Sequence, residues 1–271
     1  MRIEDFEDIK YEKEENGICT ATFSRPERRN AVTYISFLEL YYIIEDMEKD
    51  KNAKILIITG DPKGKAFTSG GFFKPEMFHK MQKYPEIDLM DIAQKKLCLK
   101  MWDFQKPVMV AINGMAIGGG VTMPLAGADL VYMAEDAWLG FYFARRAIVP
   151  EFGTTFLLPL LVGFQRAKEI CFMGEKVSSQ QALELGLVNK VLPNEELMNY
   201  TREQALRLIP PKGPSLSLKL MKKTMHAYFR DILSQTLDLE NKTLRKTFAS
   251  KDFKEAMSAL KEKREVRFIG K

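Results

Sequence analysis

"AINGMAIGGGVTMPLAGAD", residues 111–129, decides how this chain is read. An apolar run ends at Asn113-Gly114, three glycines follow at 118–120, and the sequence turns apolar again through Met123, Leu125 and Ala126. That order predicts a buried strand, a tight turn and a helix beginning near Gly119. The first amides of a helix have no partner inside it, and bare glycines let a ligand oxygen approach them. The segment is a poor dinucleotide fingerprint, because its glycines are spaced G-x-x-x-G-G-G rather than G-x-G-x-x-G. A second glycine turn, "KAFTSGG" (residues 65–71), also ends a strand-linked segment. Two such turns can each aim one amide at a single oxygen, the arrangement of an oxyanion hole.

Outward from these turns, short apolar runs alternate with longer amphipathic ones. Strands are predicted at 17–24, 53–60, 106–114, 128–135 and 185–193, and a helix over 34–50, where Ile35, Leu38, Tyr42 and Met47 fall near one face. Strands alternating with helices give an α/β class. After Pro193 the pattern is helical only, over 194–209, 214–229, 231–248 and 250–266, so the chain divides near residue 200 into a core (1–200) and a helical region (201–271). Those helices carry more apolar stripes than they can bury on one another, which predicts packing on the body or on a partner subunit.

Composition narrows the class. The chain has 271 residues, 46% hydrophobic and 28% charged, and a net charge of +5, with its basic residues dispersed among acids on helix faces. A nucleic-acid surface would gather them, so no nucleic-acid partner is expected. Three cysteines far apart (Cys19, Cys98, Cys171) indicate neither a disulfide framework nor a zinc site. His79 and His226 lack the spacing of a metal motif, so no metal is expected. The acidic opening has no apolar signal core, and no stretch of about 18 apolar residues occurs; a soluble, cytoplasmic protein is expected.

Six segments in order, "RPERRNAV" (25–32), "KAFTSGG", "AINGMAIGGG", "GADLVYMAEDAWLG" (127–140), "VPEFGTTFLLPLLVG" (149–163) and "GEKVSSQQALELGLVNKVLP" (174–193), resemble the crotonase superfamily, the enoyl-CoA hydratase/isomerase fold. The resemblance covers residues 1 to about 230. It implies a crotonase-like spiral of ββα repeats, a C-terminal helical region that joins subunits into homotrimers or homohexamers, an acyl-CoA thioester substrate and no cofactor beyond the coenzyme A of that substrate. By position it implies oxyanion donors at the amides of Ser69 and Gly119. It also implies CoA contacts at Arg28 or Arg29, and adenine or pantetheine contacts at Ala66, Ser69 and Gly70.

Departures from the family pattern narrow the chemistry. Phe72, followed by Phe73, stands where the family usually writes an Asp. Thr122 occupies the place of the first hydratase glutamate, and Tyr142 or Phe143 that of the second, so the two-glutamate hydration machinery is missing. The remaining carboxylate is Glu151, after Pro150, at the position of the single catalytic glutamate in the delta-isomerases of this superfamily. Trp138, Phe141, Tyr142, Phe143 and Phe152 are candidates for an apolar wall around it, with Phe141 and Phe143 placed against the substrate. The sequence thus points to isomerisation of a 3-enoyl-CoA. Enoyl-CoA hydration, acyl-CoA hydrolysis and a non-catalytic CoA- or RNA-binding relative stand as alternatives. Asp129 is read as a strand-start residue.

Overall fold

The computed structural model describes residues 1–72 and 75–271. Among the described residues, ten strands form two sheets. The larger takes β1 (Ile9–Lys13), β2 (Ile18–Phe23), β3 (Ile55–Gly60), β5 (Val108–Ile112), β7 (Leu130–Ala134) and β10 (Lys190–Leu192), in that spatial order. The smaller takes β4 (Ala66–Thr68), β6 (Met115–Ile117), β8 (Trp138–Gly140) and β9 (Lys176–Ser178). Only β1 on β2 and β9 on β8 run antiparallel to their neighbours. The pairs β3–β4, β5–β6 and β7–β8 each send one strand to each sheet, so the chain climbs as a spiral of strand-strand-helix turns.

Eleven helices among the described residues pack around these sheets. In the spiral they are α1 (Tyr34–Lys49), α2 (Pro75–Met81), α3 (Lys95–Asp103), α4 (Gly119–Gly127), α5 (Thr154–Val162), α6 (Phe164–Met173) and α7 (Ser179–Glu184). The C-terminal four are α8 (Asn194–Leu208), α9 (Ser215–Ala227), α10 (Arg230–Phe248) and α11 (Lys251–Glu262). Residue 200, where the sequence suggests a division, lies inside α8, whose Leu197, Thr201 and Ala205 are buried and which packs on β5 and β7.

Every residue of β3 and β5 is buried, as expected of parallel strands covered on both faces. At the edge, β1 (IKYEK) buries only Ile9. Helix α1 starts at a capping box: Thr33 Oγ1 accepts from the amides of Ile35 and Ser36, and Ser36 Oγ accepts from the Thr33 amide. From the same helix, wholly buried Glu39 accepts the amides of Glu7, Asp8 and Ile9 and so fastens the N-terminal segment. Burial pushes its carboxyl up to about 7 against the pull of those amides.

Asp129 proves to be a structural tie at the start of β7. Its Oδ2 accepts the Val108 amide at 2.7 Å and Lys222 Nζ of α9 at 2.7 Å. His226 stacks on Trp102 with ring centroids 4.0 Å apart, and His79 is exposed on α2. Among the described residues no helix is long and apolar enough to cross a membrane.

Candidate active site

Strand β6 ends in the glycine run. Gly118 takes φ +54° and ψ −121°, a turn conformation closed to residues with a Cβ, and its amide donates to the Gly140 carbonyl. Its carbonyl receives the amides of Val121 and Thr122, which starts α4. The amides of Gly119 and Gly120, at the helix start, donate to no acceptor among the described residues. A Cβ on Gly120 would collide with Thr68 Cγ2 of β4, so glycine is required for the two turns to meet. Thr122 is wholly buried, and its hydroxyl turns back to the Gly118 carbonyl at 3.4 Å. It offers no acid.

The acid beside this helix start is Glu151. Its Oε1 lies 3.5 Å from the position that a Cβ on Gly119 would occupy, with Phe37 Cζ 3.3 Å from the same point. Its carboxyl makes no hydrogen bond among the described residues, and it is pushed up to about 8, first by burial and then by the neighbouring charge of Glu240. The apolar wall here is Phe37 and Phe152, ring centroids 5.3 Å apart and both buried. Phe152 holds φ +57°, which bends the chain sharply between Glu151 and α5.

The first turn is built differently from the expectation. The Ser69 amide donates to the Arg29 carbonyl at 3.0 Å and the Ser69 hydroxyl to the Arg28 carbonyl at 2.9 Å. Ser69 is therefore a staple between the turn and the "RPERRNAV" loop, and its amide cannot serve as an oxyanion donor in this geometry. Gly70 is also engaged: its amide goes to Thr68 Oγ1, and its carbonyl accepts the Val32 amide. Phe72 donates its amide to the Val32 carbonyl. The amide of this turn left without an acceptor among the described residues is that of exposed Gly71, two residues beyond the one expected.

Other expected contacts are redistributed. Ala66 is wholly enclosed in β4, its carbonyl held by the Asn30 side chain at 2.7 Å, so it presents no surface to a ligand. Phe141 is equally enclosed and lines a cavity of about 200 Å³ with Val121, Leu139, Leu161 and Val188, away from Glu151. Phe143 is buried, and its carbonyl closes the turn by accepting the amides of Arg146 and Ile148. Trp138 and Tyr142 lie against one another near Ile117, each with a cation over its ring, Lys176 and Arg145. Arg28 and Arg29 are exposed, and Arg28 rests 5.1 Å over the Phe72 ring, with Arg25 at 5.2 Å from it. Phe73 lies outside the described residues. Among the described residues no group of three or more His, Cys, Asp or Glu is arranged to hold a metal ion.

Sequence reasoning missed four contributors. Phe37 carried a signal only as one more apolar residue of α1. Gly71 was hidden by a two-residue offset within one turn. Tyr34, whose hydroxyl is pushed up by burial and then by the Glu151 charge, lies at the start of α1. Glu240 sits 89 residues beyond Glu151 (240 − 151) and had no local pattern to mark it.

Two sheets wound from strand-strand-helix turns, with unpaired glycine amides beside a half-buried carboxyl, define a crotonase-type protein. The chain belongs to the enoyl-CoA hydratase/isomerase family, whose model its sequence matches over residues 13–271. It is 30% identical over 258 residues to the 1,2-epoxyphenylacetyl-CoA isomerase of Escherichia coli strain K12, covering 95% of this chain and 97% of that one. It is also 30% identical to a short-chain-enoyl-CoA hydratase of Clostridium acetobutylicum, over 94% of this chain and 95% of the relative. Its fold is similar to a crystal structure of an enoyl-CoA hydratase/isomerase from Pseudoalteromonas atlantica T6c, with a TM-score of 0.84, 25% sequence identity and coverage of 97% and 100%. It is an enzyme of that family.

Proposed function

We propose that the chain isomerises a 3-enoyl-CoA to the conjugated 2-enoyl-CoA with Glu151 as the only proton carrier. The observation that carries this reading is the Glu151 carboxyl beside the Gly119 amide, with Thr122 hydrogen-bonded to the backbone where a second acid would have to stand. The thioester oxygen sits against the amides of Gly119 and Gly71. The Glu151 carboxylate removes a proton from the α carbon, and the electron pair moves through the carbonyl to leave a dienolate. The two amides stabilise the oxygen's charge. Glu151 then returns the same proton to the γ carbon, the double bond settles between the α and β carbons, and the carboxylate is regenerated with no water consumed. A base of raised pKa suits this cycle, because it takes a weakly acidic carbon proton and gives it back near neutral pH.

Coenzyme A enters with the substrate, and exposed Arg28 and Arg29 face its phosphates. Exposed apolar side chains on α5 and α6 (Leu160, Leu161, Phe164, Phe172, Met173) support assembly as a homotrimer or homohexamer. Conversion of 3-hexenoyl-CoA, followed by the absorbance of the conjugated thioester, tests the reading. The wild type is expected to turn over and Glu151→Gln to lose at least about a hundredfold; equal rates refute it. Water-consuming chemistry is the competing outcome, since a hydratase is among the relatives of similar identity. It would place heavy oxygen from labelled water in the product, which isomerisation does not.

A further inference from the structure

The Glu151 turn has no cap of its own. Gly153, at the N-cap of α5, offers no side chain, so the first amides of that helix need an acceptor from elsewhere. The acceptor comes from the C-terminal helical region. Glu240 on α10, 2% exposed, accepts the Gly153 amide at 2.8 Å through one oxygen, and the Thr155 amide at 2.9 Å and Thr155 hydroxyl at 2.7 Å through the other. From the other side, the Glu151 carbonyl receives the Thr154 amide at 3.1 Å and the Phe152 carbonyl receives Cys98 Sγ at 3.8 Å.

Resting on the reading of Glu151 as the base, we propose that Glu240 is a positioning residue for catalysis: it clamps residues 153–155 so that the Glu151 carboxyl is held toward the Gly119 amide. Three donors on two oxygens are the pattern of a carboxylate rather than a carboxyl, and a negative charge at a helix start is favoured by the helix dipole. Its neighbour Asn241 extends the clamp. Asn241 Oδ1 accepts the Ala93 amide at 2.6 Å, and its Nδ2 donates to Asp91 at 2.9 Å, so two consecutive residues of α10 fix both the base turn and the lead-in to α3. Leu233 of the same helix closes on Gly153, where any Cβ would strike it.

The clamp also carries charge. The titratable group that bears on Glu151 is Glu240 from α10, while Tyr34 from α1 feels the charges of Glu151, Asp91 and Asp88. Those that feel Glu240 are Glu151, Cys98 on α3 and Cys171 on α6, while Asp91 bears on Cys98. The nearby Asp238 of α10 is paired with Lys95 at 2.7 Å. Burial raises the Glu240 carboxyl while its bonds from Thr155 and Gly153 pull it back down; in its charged form it holds the proton on Glu151 to higher pH, and its replacement by a neutral side chain releases that proton at lower pH.

The test compares Glu240→Gln, Thr155→Val and Glu151→Gln with wild type, using 3-hexenoyl-CoA kinetics over about pH 6 to 9, coenzyme A affinity and thermal melting. Glu240→Gln is expected to bind coenzyme A as wild type does, with kcat about 10- to 100-fold lower at similar KM. The acidic limb of its kcat/KM profile should also move to lower pH. Thr155→Val, which removes one of the three bonds, should lower kcat about threefold or more without moving that limb. A purely structural Glu240 would lower the melting temperature and leave kcat per folded molecule and the limb unchanged, which overturns the proposal while Glu151→Gln remains dead. Should Glu240→Gln not melt cooperatively, Thr155→Val decides: reduced kcat at unchanged coenzyme A affinity supports the clamp, and wild-type kcat overturns it. Full activity in Glu151→Gln would overturn the base assignment itself.

Discussion

The Ser69 amide and the Arg29 carbonyl are joined at 3.0 Å, which places the unpaired donor of the first glycine turn at Gly71. Replacing Gly71 separates its N–H from its shape. The residue is exposed, and Gly71→Ala keeps the amide. Gly71→Pro removes it. The alanine variant is expected within about threefold of wild type and the proline variant about 100-fold lower in kcat, as for loss of one oxyanion donor. Steady-state rates with 3-hexenoyl-CoA check this, with coenzyme A affinity as the control for a disturbed loop. Ser69→Ala, which breaks only the bond to Arg28, should leave kcat close to wild type.

The pH dependence follows from Glu151. The base must be ionised to act, and burial together with Glu240 lifts its carboxyl to about 8. At pH 7 only about a tenth of the free enzyme then carries the carboxylate. The kcat/KM for 3-hexenoyl-CoA is expected to rise about tenfold per pH unit at low pH and to level off above about pH 8. An acidic limb near the ordinary glutamate value would contradict an enclosed base.

The same shift has a stability consequence of definite sign. A carboxyl whose pKa is raised by folding contributes stability that is complete below its unfolded value and is lost as pH rises through its folded value. Glu39 at about 7 and Glu151 at about 8 both behave so, and the protein should therefore lose stability between about pH 4.5 and pH 8. Glu151→Gln removes one of these ionisations. Its melting temperature should stay close to wild type near pH 5 and exceed it by several degrees near pH 8, equivalent to about 4 kcal/mol. A constant difference across that range would show that Glu151 ionises as freely folded as unfolded.

What the sequence discloses of this fold is its two-sided regularity. The apolar runs at 53–60 and 106–114 read as buried strands because they are central and covered on both faces, and they appear as β3 and β5. The glycine run reads as a helix start because Gly118 needs a conformation that other residues avoid. By contrast β1, IKYEK, alternates only through Ile9 and Tyr11 before turning charged, and β4, β6, β8 and β9 are three residues each, too short for a period. At the site the lone acid was legible by position, since Glu151 follows Pro150 and precedes an apolar helix. The choice of amide was not. Whether Ser69 or Gly71 is free depends on which of them meets the Arg29 carbonyl, a contact 40 residues away (69 − 29) that no local pattern encodes. Glu240 was invisible for the same reason.

The loop carrying Arg28 and Arg29 offers a test of how such distant contacts reach the ligand. Asn30, wholly buried with φ +55°, donates to the carbonyls of Asp61 at 2.9 Å and Ala66 at 2.7 Å, while its Oδ1 accepts the Arg25 amide at 3.3 Å. One side chain thus joins the arginine loop to the turn before β4 and to β4 itself. Asn30→Ala removes the side-chain bonds to both carbonyls, of which Asp61's keeps the Gly64 amide, and places alanine in a left-handed conformation, a cost of about 2–4 kcal/mol. Because the loop also supplies the Arg29 carbonyl that fixes Ser69, loosening it should blur both the cationic face and the Gly71 amide. The expected result is a melting temperature lower by several degrees and coenzyme A affinity weakened about tenfold, with the acidic limb of the pH profile unmoved because Glu151 stands on separate elements. A destabilised variant with unchanged coenzyme A affinity would mean that the two arginines do not meet the cofactor portion of the substrate.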